Sequence, residues 1–213
     1  KASQPSSVAA TKGTMMKAYK LLPVAGFFLA ACGGGEPADT PAADDSAAPP
    51  PAAAPAGPQI PGGELSMPGW YQVDHDAMTV TLDIEAGATP DNNYWNYNGA
   101  IRGEWAITVP VRYTVTVNLS NSDPNMAHSR GIARVRTNFA VPPTPDPVFE
   151  GAISENPQSM VDATMPGESE TITFVASEAG DYSMVCYIAG HTAVGMWLYF
   201  IVAEGQDAGV AGM

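Results

Sequence analysis

The chain of 213 residues is poor in metal ligands and in positive charge. Two cysteines and three histidines are its whole stock of thiol and imidazole. That excludes many metal architectures at once, and the haem-attachment pattern Cys-x-x-Cys-His is absent. All four lysines (Lys1, Lys12, Lys17, Lys20) precede residue 21, where there is no acid. Beyond them five arginines face 22 acids, so the formal charge of −13 becomes −17 for the remainder. Binding to a phosphate backbone needs clustered cations that release counterions, so nucleic acid is excluded as a partner. No long segment carries a capped stripe at the 3.6-residue helical period.

What is present changes character along the chain. Lys12, Lys17 and Lys20 lead into Leu21–Ala31, an apolar run interrupted by Pro23 and Gly26 and ended by Cys32. It is about half the ~20 residues a membrane-spanning helix needs. Charge followed by a short hydrophobic run is the layout of a secretory signal. Leu29-Ala-Ala-Cys32 resembles the lipobox of bacterial lipoproteins, in which the cysteine takes the lipid. Residues 1–32 are therefore expected to be a signal and lipoprotein segment with Cys32 as the lipid attachment point. Residues 33–65, rich in Pro, Ala and Gly, cannot bury enough apolar surface to offset the entropy of ordering. They are expected to be a disordered N-terminal tether, ~30 Å across as a random coil. Residues 204–213 are polar and glycine-rich and are expected to form a flexible tail.

Residues 66–203 read with period two. Met78, Val80, Leu82 and Ile84 alternate with polar residues, as do Tyr113, Val115, Val117 and Leu119, and so do Trp105, Ile107 and Val109. These are half-buried strands separated by turns such as Asn98-Gly99. Trp197–Val202 is apolar on both faces and reads as a central strand. About seven or eight strands predict an all-β, two-sheet sandwich. Pro142-Pro-Thr-Pro-Asp-Pro147 cannot join a ladder and marks a long excursion between strands.

Cys186 is the one thiol of this body. It is either buried and inert, paired between chains, or used. Its surroundings are Cys186-Tyr-Ile-Ala-Gly-His191-Thr-Ala-Val-Gly-Met196-Trp197, a strand–loop–strand that gathers thiolate, imidazole and thioether with spacing Cys-x4-His-x4-Met. His128, 58 positions upstream of the thiol and just past another strand, can reach the same end of a sandwich. His128, Cys186 and His191 then form a trigonal set with Met196 on a long axial bond. Ligand softness makes that a copper site, because zinc wants four strong tetrahedral ligands and Met is a poor fourth. His75, flanked by Asp74 and Asp76, reads as a solvated bystander. Met184 reads as packing beneath the site, and Met126 as a rival sulfur.

Cys186–Trp197 resembles the ligand loop of small blue copper proteins, the cupredoxins. It is most similar to that of the sulfocyanin family, with Gly before both His and Met and Trp after. Tyr94-Trp-Asn-Tyr-Asn-Gly99 and Ala106-Ile-Thr-Val-Pro110 resemble the same family, and the likeness covers about residues 92–203. It implies a Greek-key cupredoxin sandwich, one type 1 copper, His128, Cys186 and His191 as equatorial ligands, and Met196 as axial ligand. Ser129 departs from the family pattern, in which Asn after the first histidine helps clamp the two ligand loops.

The expected function is single-electron transfer to or from a membrane redox complex or cytochrome with a basic docking face. The body is expected to be exported to a periplasmic or extracellular face and held at the membrane through the N-terminal lipid. His191 is expected to present its ring edge as the electron port, within an apolar collar of Ile188, Ala189, Ala193 and Val194. Multicopper enzymes need further histidines, and only His75 is spare, so the protein is not expected to be an enzyme. The competing expectation is a structural accessory subunit of a respiratory or photosynthetic complex, with copper absent or incidental. A copper carrier ranks third, because it would show more exposed Met and His.

Overall fold

The computed structural model describes residues 59–134 and 138–213, all within a compact unit running from Pro51 to Met213. The leader with Cys32 and residues 33–58 of the tether lie outside the described residues.

Period-two alternation produces the first sheet. Strand β2 (Thr79–Ala86) buries Val80, Leu82, Ile84 and Ala86, and β4 (Thr114–Asn121) buries Val115, Val117 and Leu119. These two run parallel, with Val80 opposite Val115. Antiparallel β1 (Tyr71–Asp74) and β6 (Ser169–Val175) flank them in the order β1-β2-β4-β6. The second sheet contains β3 (Ala106–Pro110), β5 (Gly131–Arg134), β7 (Gly180–Val185), β8 (Trp197–Ala203) and β9 (Gly209–Ala211). Its order is β5-β7-β8-β3-β9, with β3 and β8 parallel. Parallel neighbours cannot be joined by a tight hairpin. The chain therefore crosses repeatedly from sheet to sheet, and the result is the all-β two-sheet sandwich that the pattern predicts.

Inner faces of both sheets share one apolar core in which Leu82, Ile84, Val117 and Leu119 join Ile107, Leu198 and Phe200. Trp197–Phe200 of β8 are buried on both faces, as expected of a central strand. The outer face is dry because a second cluster covers it, built from Ala133, Phe139, Val185, Tyr187, Trp197 and Tyr199. Phe139, from the excursion that carries the prolines, lies with its ring 5.2 Å from that of Trp197. The same excursion returns through Phe149, which stacks on Phe174 and meets Tyr182 edge-on.

One expectation is corrected. The segment after Glu204 does not fray, since Gly209–Ala211 form β9 along the free edge of β3. Val210 is fully buried, and its N–H and C=O exchange hydrogen bonds with Ser66. Three residues of Gly-Val-Ala are too short a pattern to read as a strand, and only the vacant edge of β3 makes them one. Removing residues 209–213 is expected to lower folding stability by about 2 kcal/mol or more from the lost burial of Val210 and the bared β3 edge. A urea midpoint equal to that of the full chain would show that the tail is no part of the fold.

Candidate metal centre

Sequence-predicted residues His128, Cys186 and His191 come together. One ligand atom from each lies within 4.8 Å of the others. Nδ1 of His191 is 3.2 Å from Nδ1 of His128 and 3.6 Å from Sγ of Cys186. All three residues, and Met196 beside them in the chain, are 0% exposed.

Two segments deliver these side chains. Cys186 follows β7 directly, and its N–H donates to the Met196 carbonyl at 3.3 Å. The Met196 N–H donates to the His191 carbonyl at 3.0 Å, and the Thr192 hydroxyl donates to the Cys186 carbonyl. Gly190 and Gly195, at φ +87° and +123°, permit the tight return that closes this loop. The other segment holds His128 by a two-way backbone pair with Thr164, 3.0 and 3.1 Å. Glu170 anchors the same region by accepting from the Thr164 hydroxyl and from the buried Arg130 guanidinium.

Ser129 clamps the two segments in its own way. Its Oγ accepts the Tyr187 N–H at 2.9 Å and lies 3.7 Å from the Cys186 sulfur. The Ser129 carbonyl in turn accepts the hydroxyl of buried Tyr97 at 2.5 Å. A hydroxyl thus performs the tie that the family pattern assigns to an amide.

Sequence reasoning missed Asp123. This buried carboxylate accepts the Nε2–H of His128 at 2.9 Å on one oxygen. Its other oxygen takes the N–H groups of Asn125 and Met126. With Nε2 carrying the proton, the lone pair of His128 Nδ1 faces the other donors, the carboxylate–histidine arrangement that orients metal-binding imidazoles. In the sequence Asp123 is indistinguishable from an ordinary turn aspartate in Asn121-Ser-Asp-Pro.

Burial dominates the electrostatics. It pushes the Cys186 thiol up, against opposing pulls from the Ser129 and Ile188 backbone and the Ser129 and Tyr97 hydroxyls. It lowers His128, with Asp123 opposing. Burial and the neighbouring His128 bring His191 down to about 3. Both imidazoles are therefore neutral at ordinary pH, the form that binds metal.

Three expectations change. His191 does not present a ring edge to solvent. It is fully buried, and Trp95 stacks on it with ring centroids 4.0 Å apart and planes 18° from parallel. Nothing in a sequence places an indole 96 positions upstream over that ring. Ile188 is buried rather than part of an exposed collar, whereas Ala189, Ala193 and Val194 are exposed. His75 is exposed but not simply solvated: its Nδ1 is 3.0 Å from the Tyr113 hydroxyl, remote from the ligand set. Met184 is buried in the main core, and Met126 is half-buried with its carbonyl accepting from Asn121.

The donor set can be tested for fit. Donors bonded at ~2.1 Å in a trigonal plane lie about 3.6 Å from one another. The observed 3.2 and 3.6 Å separations suit one ion at that spacing. One thiolate and two imidazoles, with the methionine Met196 closing the same loop, are the chemistry of type 1 copper.

Comparison with known proteins agrees. Residues 68–209 match the sulfocyanin (SoxE) domain. The chain belongs to the sulfocyanin family. It is thereby a small blue copper cupredoxin, and one type 1 copper is the cofactor its site accommodates. Sulfocyanin from Sulfolobus acidocaldarius is 27% identical over 135 residues, 61% of this chain and 66% of that protein. Among solved structures, reduced auracyanin from Roseiflexus castenholzii is 26% identical, with 58% of this chain and 96% of that one covered and a TM-score of 0.41. Rusticyanin from Thiobacillus ferrooxidans is 25% identical, with 63% and 86% covered and a TM-score of 0.44.

Asp123→Asn is expected to lower copper affinity 10- to 100-fold, because the amide no longer fixes His128 in one tautomer and orientation. Competition with a chelator of known affinity measures it, and a wild-type constant would mean that Thr164 and burial orient the ring unaided.

Proposed function

We propose that this sulfocyanin-family chain is an exported, membrane-tethered electron carrier. It exchanges single electrons with a membrane redox complex or cytochrome that offers a basic docking face. The observation that carries the reading is the dry His128–Cys186–His191 triangle held from two segments. Copper held by His128, Cys186 and His191, with the Met196 thioether as a weak further donor, would supply a one-electron couple.

The chain's own contribution is to keep the donors still. Backbone bonds from Cys186 to Met196 and from Met196 to His191 hold the ligand loop at fixed spacing. The Ser129–Tyr187 tie keeps the His128 segment in register with that loop. Asp123 retains the proton on His128 Nε2, so ligation there needs no proton movement. Cys186 enters as a thiol, since burial raises its pKa, and releases that proton when metal is captured. Buried walls exclude water, which limits the reorganisation that accompanies a change of charge.

The proposed anchor is lipidated Cys32, with residues 33–65 as the leash. Charge supports the partner's chemistry: the chain beyond residue 20 carries −17. Among the described residues no helix is long and apolar enough to cross a membrane.

Adding Cu(II) to the purified domain is expected to produce an intense blue thiolate-to-copper absorption and a narrow-hyperfine EPR signal, both lost in Cys186→Ser. A colourless wild type that co-purifies stoichiometrically with a membrane complex would establish the accessory-subunit reading instead. Association with the partner is expected to slow as salt is raised from 10 to 200 mM. A salt-independent stopped-flow rate would remove the steering argument.

A further inference from the structure

The electron-transfer reading requires an exit to the surface, and His191 has none of its own. We propose that Trp95 is the surface contact of the copper site, the side chain through which His191 couples to an outer-sphere one-electron acceptor in the docked partner. This rests on the electron-transfer reading above and adds to it the residue that meets the partner.

Three observations converge on Trp95. The indole lies flat on the buried imidazole at stacking distance, 4.0 Å between centroids, and Trp95 is only half-buried as a residue although its Nε1 is buried. It is therefore a half-buried aromatic residue in direct contact with a fully buried donor.

The loop that carries it is held in a costly conformation. Asn92, Asn93 and Tyr94 all have positive φ, 52°, 61° and 63°. Left-handed backbone is unfavourable for any residue but glycine, least so for Asn. Reciprocal bonds offset this: Asn92 Nδ2 donates to the Trp95 carbonyl and the Trp95 N–H donates to the Asn92 carbonyl. Fully buried Asn96 donates to the carbonyls of Thr89 and Asp91 and accepts from the Gly99 N–H.

The loop is also tied to the ligand segments at two further points. Arg102 donates through its N–H to the Gly195 carbonyl and through Nη2 to the Asn92 side chain. Tyr97, two residues past Trp95, donates to the Ser129 carbonyl. Trp95 stacks on His191 while Tyr97 bonds the Ser129 segment, so the backbone of this loop cannot leave without breaking bonds to both ligand segments. Backbone strain held in place by so many bonds beside a redox centre is the pattern of a functional constraint rather than of packing alone.

The step involves no bond chemistry. One electron leaves the reduced site as the site is oxidised, and the acceptor takes it up and is reduced. No proton moves, and Trp95 is neither oxidised nor reduced, its π-system serving only as a coupling bridge. Electronic coupling falls steeply with separation, so losing a ring stacked on the imidazole slows transfer even when the driving force is unchanged.

The experiment compares wild type, Trp95→Leu and Trp95→Phe as copper-loaded domains. Tris(phenanthroline)cobalt(III) is the oxidant in stopped-flow, and each midpoint potential is measured so that driving force can be divided out. Trp95→Leu is expected to react at least tenfold more slowly, with Trp95→Phe restored to within about threefold of wild type. A leucine variant as fast as wild type, or faster because His191 is bared, overturns the proposal and makes the indole a mere cover. A second readout needs no copper: the wild-type-minus-W95F emission of the metal-free domain is expected to be quenched by acrylamide. An indole that acrylamide cannot reach overturns the proposal as well, including where the leucine variant fails to hold metal. Failure of the electron-transfer reading itself would be separate, as a wild-type domain that never turns blue.

Discussion

Three donors from segments 58 residues apart can share one ion only if something else holds them together first. In this chain that something is a set of short hydrogen bonds between the two ligand segments. Ser129 reaches Tyr187, Tyr97 reaches Ser129, and the ligand loop closes on itself through Cys186, Met196 and His191. Every other feature of the site follows from keeping those bonds dry. Two neutral imidazoles and a thiol packed at 3.2 and 3.6 Å are tolerable because none is charged in that setting. Burial raises the thiol and lowers both imidazoles, and so imposes that neutrality.

The sandwich supplies the dryness on both sides of its second sheet. Inner faces meet in one core, while the outer face of β8 is sealed by Phe139 and its neighbours from the long excursion. That excursion then returns past the site, where Thr164 pairs with His128 and Ser154 and Glu170 receive the buried Arg130 guanidinium. An insertion that looks dispensable by composition therefore stabilises the domain and supports the first ligand. Arg130 shows why it persists: a buried cation needs its carboxylate and carbonyl acceptors nearby, and the excursion provides Ser154 among them.

How much of this was legible depended on distance along the chain. Strands β2 and β4 were readable because a half-buried surface demands alternation, and β8 because a doubly buried strand demands continuous apolar residues. β9 was not, since its three residues acquire meaning only beside the empty edge of β3. Likewise the ligand loop carries its chemistry in consecutive positions, whereas Asp123 looks like any turn residue until the fold sets its carboxylate against His128. Ser129 looked like a defect in a familiar pattern, yet its hydroxyl makes the inter-segment tie.

By itself the sequence determined the class of sandwich, the candidate donors and the metal they suit. Those properties lie in local periodicity and in the covalent spacing Cys-x4-His-x4-Met, which no packing can alter. Only the tertiary structure decided that none of those donors meets solvent. Exposure is a property of what lies on top, and the indole over His191 arrives from a loop 96 positions away, placed there by bonds no local pattern encodes.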